Sequence, residues 1–165
     1  MWGGWFVAAG LLGLLAIRGS NEAAHEANTD SGASGAGAAD PVVAVAALRE
    51  APGVLRAPWV TDGIRGEVVW SDDSNVGFMV IDGLTINDPT VSQYQLWIFR
   101  GDDPAAEPHP IDGGLFDVAE GGAVVVPIDA KLRVGMAGLF AVTVEPPGGV
   151  VVSKREPIVA VAVRS

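Results

Sequence analysis

The run from Thr143 to Gly149 constrains the fold most, because its two halves require opposite backbone behaviour. Its first three residues continue a β-branched and aromatic stretch that begins at Gly138, which is typical of a strand. Two prolines then remove two backbone donors, and two glycines that are free to adopt positive φ follow them. The strand must therefore end there. Because Val150 to Val152 forms a new apolar run, the sequence predicts a long hairpin with a wide, stiffened tip.

The composition favours a mainly β fold. The 165 residues include 22 glycines, 11 prolines and 49% hydrophobic residues, which suits one domain of short strands and tight turns. We predict an antiparallel β-sandwich of about seven short strands, where apolar runs alternate with turn-forming clusters. The strands are expected at residues 64–71, 76–81, 93–100, 115–118, 123–128, 138–145 and 157–163.

Two local patterns add detail to this sandwich. Residues 72–75 read Asp-Asp-Ser-Asn, and these residue types favour a tight turn that would join the first two predicted strands in a hairpin. In the third predicted strand, Tyr94, Leu96 and Ile98 share one face, and the alternate residues Gln95, Trp97 and Phe99 share the other. Both faces are largely apolar. We therefore expect a central strand whose aromatic residues belong to the core rather than to a ligand-stacking platform.

The stretch from Trp2 to Ile17 is uncharged and almost wholly apolar, and Arg18 closes it. We interpret residues 1–18 as a transmembrane helix, because the tryptophans near its start suit a membrane interface. Its length of about 16 apolar residues falls short of the roughly 20 that span a bilayer, and a span that begins upstream of Met1 would explain the difference. A signal peptide is the second alternative, but a basic n-region and a cleavage site are not evident. A buried soluble helix is the third, weakened by its glycines.

The next segments differ sharply in composition. Residues 19–39 contain no large apolar residue, which predicts a disordered linker. Asp40 and Pro41 then form the signature of a helix N-terminus. An apolar stripe from Val42 to Leu48, with Leu55 as a further candidate, predicts a short helix. Pro52 and Gly53 are expected to end this helix. We assign residues 40–58 to a short helix and the segment that leads into the sandwich, and residues 59–165 to the β-sandwich.

Charge and residue types argue against several functional classes. Twenty acidic against ten basic residues give a net charge of −10, so nucleic acid would be repelled. The chain has no cysteine, which excludes disulfides, thiolate metal sites and a cysteine nucleophile. His25 and His109 have no partner at metal-ligand spacing. Counted from Asp72, a calcium loop would have its required glycine at Gly77, but Gly83 stands where the bidentate acid belongs, so a simple turn is favoured.

Catalytic patterns are equally weak. No serine or threonine has a histidine in a recognisable triad, and no nucleophile elbow occurs. A pair of carboxylates could hydrolyse glycosides, with Glu67, Asp82 or Glu145 as candidates, but nothing in the sequence places one of them in an apolar pocket. We therefore predict no enzyme activity, no cofactor, and no catalytic, cofactor-binding or metal-binding residues.

Three motifs in order carry a family resemblance: residues 94–99, residues 113–116 and the run from Thr143 to Gly149. Together they resemble the C-terminal extracytoplasmic domain of anti-sigma-K (RskA-like) factors, over roughly residues 64–163. The residues that match the family motif are Trp70, Gly83, Tyr94, Leu96, Trp97, Phe116, Thr143, Glu145, Pro146, Gly148 and Gly149, with Gly66, Val69 and Leu84 beside them. The resemblance implies that these residues determine the fold and that none is catalytic.

The resemblance also implies a function. It suggests a single-pass protein of the cell membrane whose C-terminal domain lies outside the cytoplasm and regulates an alternative, extracytoplasmic-function type sigma factor, and so transcription. Regulatory proteases or a signal protein are the implied partners, and a sigma factor would be bound only through an N-terminal domain that these residues do not include. The chain departs from the family after the glycine turn, where Val150 to Pro157 lacks the usual threonine-proline step. The alternative is a membrane-tethered β-sandwich that binds a cell-surface polymer or protein.

Overall fold

The structure is a computed structural model that describes residues 40–103 and 106–165. The predicted transmembrane helix and linker lie outside these residues. The elements in chain order are α1 (Pro41–Arg49), β1 (Leu55–Thr61), β2 (Ile64–Ser71), β3 (Val76–Asp82), β4 (Gln93–Arg100), β5 (Ile111–Phe116), β6 (Val124–Ile128), β7 (Ala137–Glu145) and β8 (Ile158–Val163). Within the described residues, no helix is long and apolar enough to cross a membrane.

The strands form two antiparallel sheets. Their orders are β1-β2-β3-β6 and β5-β4-β7-β8. The main core contains buried residues from both sheets, including Trp70 and Met79 from the first and Leu96, Ile98 and Phe140 from the second. The mainly β prediction is thus confirmed, and the described part of the chain contains eight strands and one short helix.

The helix α1 begins as its sequence predicts. Asp40 is the N-cap, and its Oδ1 accepts a hydrogen bond from the Val42 amide at 2.8 Å, while Pro41 occupies the first turn. The side chain of Val45 is buried. The helix packs on β2, β3 and β6, and it therefore covers part of the first sheet.

The strand β1 was not predicted. Its residues alternate between exposed and buried positions, and it forms a hairpin with β2 through Asp62 and Gly63, which both have positive φ. Leu55, considered as a helical residue, is the first residue of this strand. Pro58 is tolerated because β1 is an edge strand with a partner on one side of the sheet order. The sandwich therefore begins at Leu55, and the predicted boundary at residue 59 falls inside β1.

The strand β5 also differs from the prediction. It covers Ile111–Phe116, not residues 115–118, because the glycine pair at 113–114 lies within the strand. Gly114 has a φ of 111°, and the pairing with β4 shifts register between Leu96 and Trp97. Glycines at a β-bulge bend a strand without ending it. Val118 is fully buried in the main core but lies beyond the strand.

Both sides of the sandwich are closed. The edge strands β1 and β8 lie against each other on one side. On the other side, the Asp129 amide donates to the Gly113 carbonyl at 2.8 Å and the Lys131 amide donates to the Asp112 carbonyl at 3.1 Å. Edge strands covered in this way do not offer a long free ladder to another chain.

Candidate functional site

The family-motif residues fall into two groups. Trp70, Gly83, Tyr94, Leu96 and Phe116 belong to the main core or its margin. A second group lies on the outward face of β4 and β7 and in the segment that follows β7; it consists of Trp97, Thr143, Glu145, Pro146, Gly148 and Gly149. This division follows the two faces of β4 that the alternation predicts.

In the main core, Trp70 is held by an aromatic contact and a polar one. Its ring meets Phe140 edge to face, with the ring centroids 5.8 Å apart. Its Nε1 donates to Asp72 Oδ1 at 2.8 Å, and the Ala137 amide donates to the same oxygen at 3.0 Å. The other carboxylate oxygen of Asp72 pairs with Arg164. Asp72 therefore joins the turn of the β2–β3 hairpin to β7 and to Arg164 near the C-terminus.

Tyr94 and Phe116 stack at the opposite end of the core. Their ring centroids are 5.4 Å apart, and the Tyr94 hydroxyl donates to the Thr85 carbonyl at 2.8 Å. Burial raises the pKa of Tyr94, so its hydroxyl stays protonated and remains a donor. Gly83 has a φ of 96°, and a Cβ there would lie 3.1 Å from the Gly63 carbonyl oxygen. This position therefore requires glycine.

The outward face of β4 and β7 contains a buried polar chain. Trp97 Nε1 donates to Thr143 Oγ1 at 2.9 Å, and the Thr143 hydroxyl donates to Glu145 Oε1 at 2.7 Å. The three residues are 1%, 1% and 5% exposed. Buried polar groups of this kind need partners, since an unpaired one costs about 1–3 kcal/mol. Thr143 is therefore the link that satisfies both the indole and the carboxylate.

A second apolar cluster surrounds this chain. It contains Trp97, Phe99 and Ala141, and partly buried residues pack against it, among them Val150. The guanidinium carbon of Arg155 lies 5.2 Å from the centre of the Phe99 ring, within the range of a cation–π contact. The cluster is separate from the main core, on the other face of the same sheet.

Residues 146–157, which we call the strap, connect β7 to β8 and cover this second cluster. The strap begins with a turn in which the Gly149 amide donates to the Pro146 carbonyl at 2.9 Å. Gly148 and Gly149 have φ values of 85° and 69°, so the predicted positive φ is confirmed. The predicted long hairpin with a wide tip is confirmed, because β7 pairs antiparallel with β8, and the apolar run from Val150 to Val152 lies in that tip without forming a strand.

The strap is attached to β4 through two glutamine side chains. Gln95 Oε1 accepts from the Val150 amide at 2.9 Å, and Gln95 Nε2 donates to the Val150 carbonyl at 3.0 Å. Gln93 Oε1 accepts from the Gly148 amide at 2.9 Å. A Cβ on Gly149 would lie 2.8 Å from both Gln95 Oε1 and Leu115 Cδ2. The glycine turn therefore attaches the strap to β4.

Gln93 and Gln95 were not predicted from the sequence as functional or structural determinants. The signal that could have identified Gln95 is its position, since an uncharged polar residue in a strand buried on both faces needs a hydrogen-bond partner. Gln95 is 2% exposed and also donates to Asp112 Oδ1 at 3.2 Å. The side-chain amide of Gln95 thus hydrogen-bonds to both the strap and β5.

The three acidic residues considered as catalytic candidates are paired with other side chains. Glu67 bonds Arg49 and Arg56, Asp82 bonds Arg65, and Glu145 bonds Thr143. Within residues 40–103 and 106–165, no cluster of three or more metal-ligating side chains occurs. His109 is exposed in a loop, and His25 lies outside the described residues.

An open pocket of about 650 Å³ lies on the first sheet beside α1. Pro58, Val60 and Val80 contribute apolar lining, and Arg49 and Arg65 with their acidic partners contribute charged groups. Trp59 also lines it, and its buried Nε1 has no hydrogen-bond partner among the described residues. Of the residues that carry the family resemblance, Gly66 lines this pocket. The pocket is therefore largely separate from the motif.

Comparison with known proteins gives one family. The model of the family described as "Anti-sigma-K factor rskA, C-terminal" matches residues 4–157. No curated protein and no solved structure matches the chain.

Proposed function

Because the chain belongs to the anti-sigma-K factor rskA C-terminal family, we propose that it forms the membrane-anchored, extracytoplasmic part of an anti-sigma factor system. The family is regulatory and acts on transcription through a sigma factor. The proposed location is the cell membrane, with a single span at residues 1–18 and the sandwich outside the cytoplasm. The proposed target is an alternative sigma factor of the extracytoplasmic-function type, bound by a further N-terminal domain.

The observation that carries this proposal is the family match, which extends from residue 4 to residue 157. It includes the apolar N-terminal stretch as well as all strands from β1 to β7. The motif residues make structural contacts within the domain. Trp97, Thr143 and Glu145 bond one another, and the glycines position the strap on β4. We propose that the domain has no enzymatic function and requires no cofactor.

Regulated proteolysis is the proposed route from domain to transcription. In this proposal the sandwich protects the protein, and a protease or signal protein outside the cytoplasm ends that protection. The paired segments of a folded domain resist cleavage in proportion to the rarity of their open states, so the stability of the sandwich limits cleavage within its strands. Nucleic acid is not a proposed partner, because the chain has a net charge of −10.

A topology experiment tests the location. A reporter that is active only outside the cytoplasm is fused after Ser165, and a second reporter that is active only inside is fused at the same point. We expect activity from the first fusion and none from the second. The reverse result would place the sandwich in the cytoplasm and contradict the proposal.

A transcription experiment tests the regulatory function. The gene is deleted in its host, and transcripts that depend on each alternative sigma factor of the host are measured. We expect the transcripts that depend on one of these sigma factors to change and to return to the original level when the full chain is restored. Unchanged transcripts would contradict the proposed function, whatever the topology.

The alternative of a cell-surface binding module has less support. The aromatic platform considered on β4 was Tyr94, Trp97 and Phe99, but Tyr94 lies in the main core, and Trp97 and Phe99 are 1% and 6% exposed beneath the strap. Buried rings cannot stack on a polymer unless the strap moves away. The observation therefore favours the structural interpretation of these aromatic residues.

A further inference from the structure

The middle of the strap is exposed and apolar. Val151 and Val152 are 96% and 67% exposed, and Val151 is the most exposed large hydrophobic residue in the described part of the chain. Within the described residues, the main-chain groups of Val151, Val152 and Lys154 make no hydrogen bond to protein. These groups are therefore free to pair with another chain.

Other exposed apolar loop residues differ in this respect. The Val91 amide donates to the Asp88 carbonyl at 2.8 Å. The Leu132 carbonyl accepts from Asn75 Nδ2 at 3.3 Å. Both loops must break a hydrogen bond before their backbone can be bound as an extended strand, whereas the middle of the strap need not.

Both ends of this segment are held on the second sheet. Val150 is held by the two hydrogen bonds to Gln95, and Arg155 lies over the Phe99 ring. Arg155 also donates to the Glu107 carbonyl. The four residues between these anchors are thus presented to solvent while the strands on both sides stay paired.

We propose that Val151 to Lys154 is the segment of the folded domain that an endoprotease binds and cuts. The inference rests on the proposed function, because it names where regulated proteolysis begins. Proteins commonly bind extended segments by main-chain pairing, with pockets for alternate side chains. A protease with an aliphatic pocket fits the two exposed valines. Exposed loop segments are also the usual sites of proteolytic nicking.

The reaction is hydrolysis of the peptide bond that precedes Val151 or of the one that precedes Val152. One water molecule is consumed, the carbonyl carbon of the residue before the cut gains its oxygen, and the bond to the valine nitrogen breaks. The residue before the cut then ends in a carboxylate and the valine begins with an amine. The protease supplies the catalytic groups, and this chain supplies the substrate segment.

The cut would change the second apolar cluster. Val150 and Arg155 cover Trp97 and Phe99 from the two halves of the strap. After the cut, each half is held at one end of the strap, so both halves leave the sheet more often. The apolar surface of Trp97 and Phe99, which was buried, then becomes accessible to other proteins.

Thermolysin, which cuts before large apolar residues, is a suitable probe. Residues 19–39 contain no large apolar residue, so the predicted linker does not compete with the strap. The full chain in detergent micelles is digested briefly, and the fragments are identified by mass spectrometry. We expect the first cut within residues 40–165 to precede Val151 or Val152. A first cut at Val91 or Leu132 would overturn the inference.

Variants of the strap sharpen the test. The double variant Val151→Asp, Val152→Asp removes the aliphatic side chains at exposed positions, so we expect thermolysin cleavage of the strap to stop while the melting temperature stays unchanged. The control is Val60→Asp on β1, where the side chain is 77% exposed, and strap cleavage should continue at the original rate. Equal loss of cleavage in both variants would show a general effect of charge and contradict the inference.

A variant of the anchor should act in the opposite direction. Gln95→Leu removes both hydrogen bonds to Val150, so strap cleavage should accelerate roughly tenfold, which corresponds to a loss of about one net hydrogen bond. If this variant fails to fold, the double variant Val151→Asp, Val152→Asp still tests the inference.

A cellular experiment separates this inference from the proposed function. The full chain with a C-terminal tag is expressed in its host, and the tagged fragment is sequenced at its N-terminus. A fragment that begins at Val151 or Val152, and that disappears in the double valine variant, supports the inference. A fragment that begins between residues 19 and 39 overturns the inference but leaves the proposed function intact. Intact protein together with unchanged sigma-dependent transcripts contradicts the proposed function.

Discussion

Gln95 binds the backbone of Val150 twice, as acceptor from its amide at 2.9 Å and as donor to its carbonyl at 3.0 Å. This pattern is the one that a neighbouring strand would make, but a side chain supplies it. The strap is therefore attached to the sheet without extending the ladder, and its release does not require a strand pair to separate. Local stability of this kind permits a segment to open while the domain stays folded.

The first prediction concerns Thr143. Thr143→Val keeps the shape of the side chain but leaves Trp97 Nε1 and the Glu145 carboxylate without their shared partner. We expect a loss of about 1–3 kcal/mol in the free energy of unfolding, because a buried polar group that loses its partner costs this much. Denaturant unfolding measures the change. Thr143→Ser is the matched control, and a similar loss in both variants would show that the hydroxyl is not the important group.

The second prediction compares two adjacent acids. Asp72→Ala removes an acceptor from Trp70 Nε1 and from the Ala137 amide, and it leaves Arg164 without its acidic partner. We expect a destabilisation of about 1–3 kcal/mol. Asp73→Ala is the control, and its effect should stay within about 0.5 kcal/mol, as for most surface substitutions. The measurement is again denaturant unfolding, and equal effects would contradict the proposed function of Asp72 as a link between elements.

The third prediction concerns pH. The hydrogen bond from Arg100 lowers the pKa of Glu107, whose carbonyl also accepts from Arg155 of the strap. A carboxylate with a lowered pKa in the folded state stabilises the fold above the unfolded pKa, and this contribution is lost as pH falls through the folded pKa. We therefore expect a decrease in the free energy of unfolding below about pH 4.

The variant Glu107→Gln isolates this contribution. It should unfold with a smaller change in stability between neutral and acidic pH than the original protein. Asp88 provides a comparison, because hydrogen bonds from Thr90 lower its pKa in the loop between β3 and β4. Identical pH profiles for the original protein and Glu107→Gln would show that Glu107 does not contribute to the acid dependence.

Much of the sandwich could be predicted from local patterns. The alternation from Gln93 to Phe99 gave the correct faces of β4, and the polar residues at 72–75 gave the first predicted hairpin. β1 was missed because Leu55 was considered as a helical residue and residues up to 58 were assigned to the segment that leads into the sandwich. Yet the Asp62–Gly63 pair between two apolar runs is a hairpin signal. A proline on an edge strand is compatible with that signal.

The candidate site depended on contacts that sequence patterns do not contain. The bonds from Gln95 to Val150 join residues that are 55 positions apart. Periodicity predicts which face a residue occupies, but it does not predict which distant loop crosses that face. The apolar run from Val150 was assigned to the hairpin, but its attachment to β4 through the side-chain amides of Gln93 and Gln95 was not predicted. The strap could be identified only when the sheet order was known.

The last prediction separates two glycines that the sequence analysis treated alike. Gly148 and Gly149 have φ values of 85° and 69°, so valine at either position places a β-branched residue in the left-handed region. A Cβ on Gly148 would meet no atom within 4 Å, whereas on Gly149 it would lie 2.8 Å from Gln95 Oε1. Gly148→Val therefore adds backbone strain of roughly 1–3 kcal/mol, and Gly149→Val adds a steric clash to the same strain.

We expect both variants to melt at a lower temperature, and Gly149→Val to melt lower than Gly148→Val. Strap cleavage by thermolysin should increase in the same order, because the clash displaces the amide that anchors Val150. Alanine at the same positions is the control, since it retains the added Cβ without β-branching and should preserve the order with smaller shifts. Equal melting temperatures for the two valine variants would show that the turn relaxes without disturbing Gln95, and the proposed attachment of the strap through the glycine turn would then be wrong.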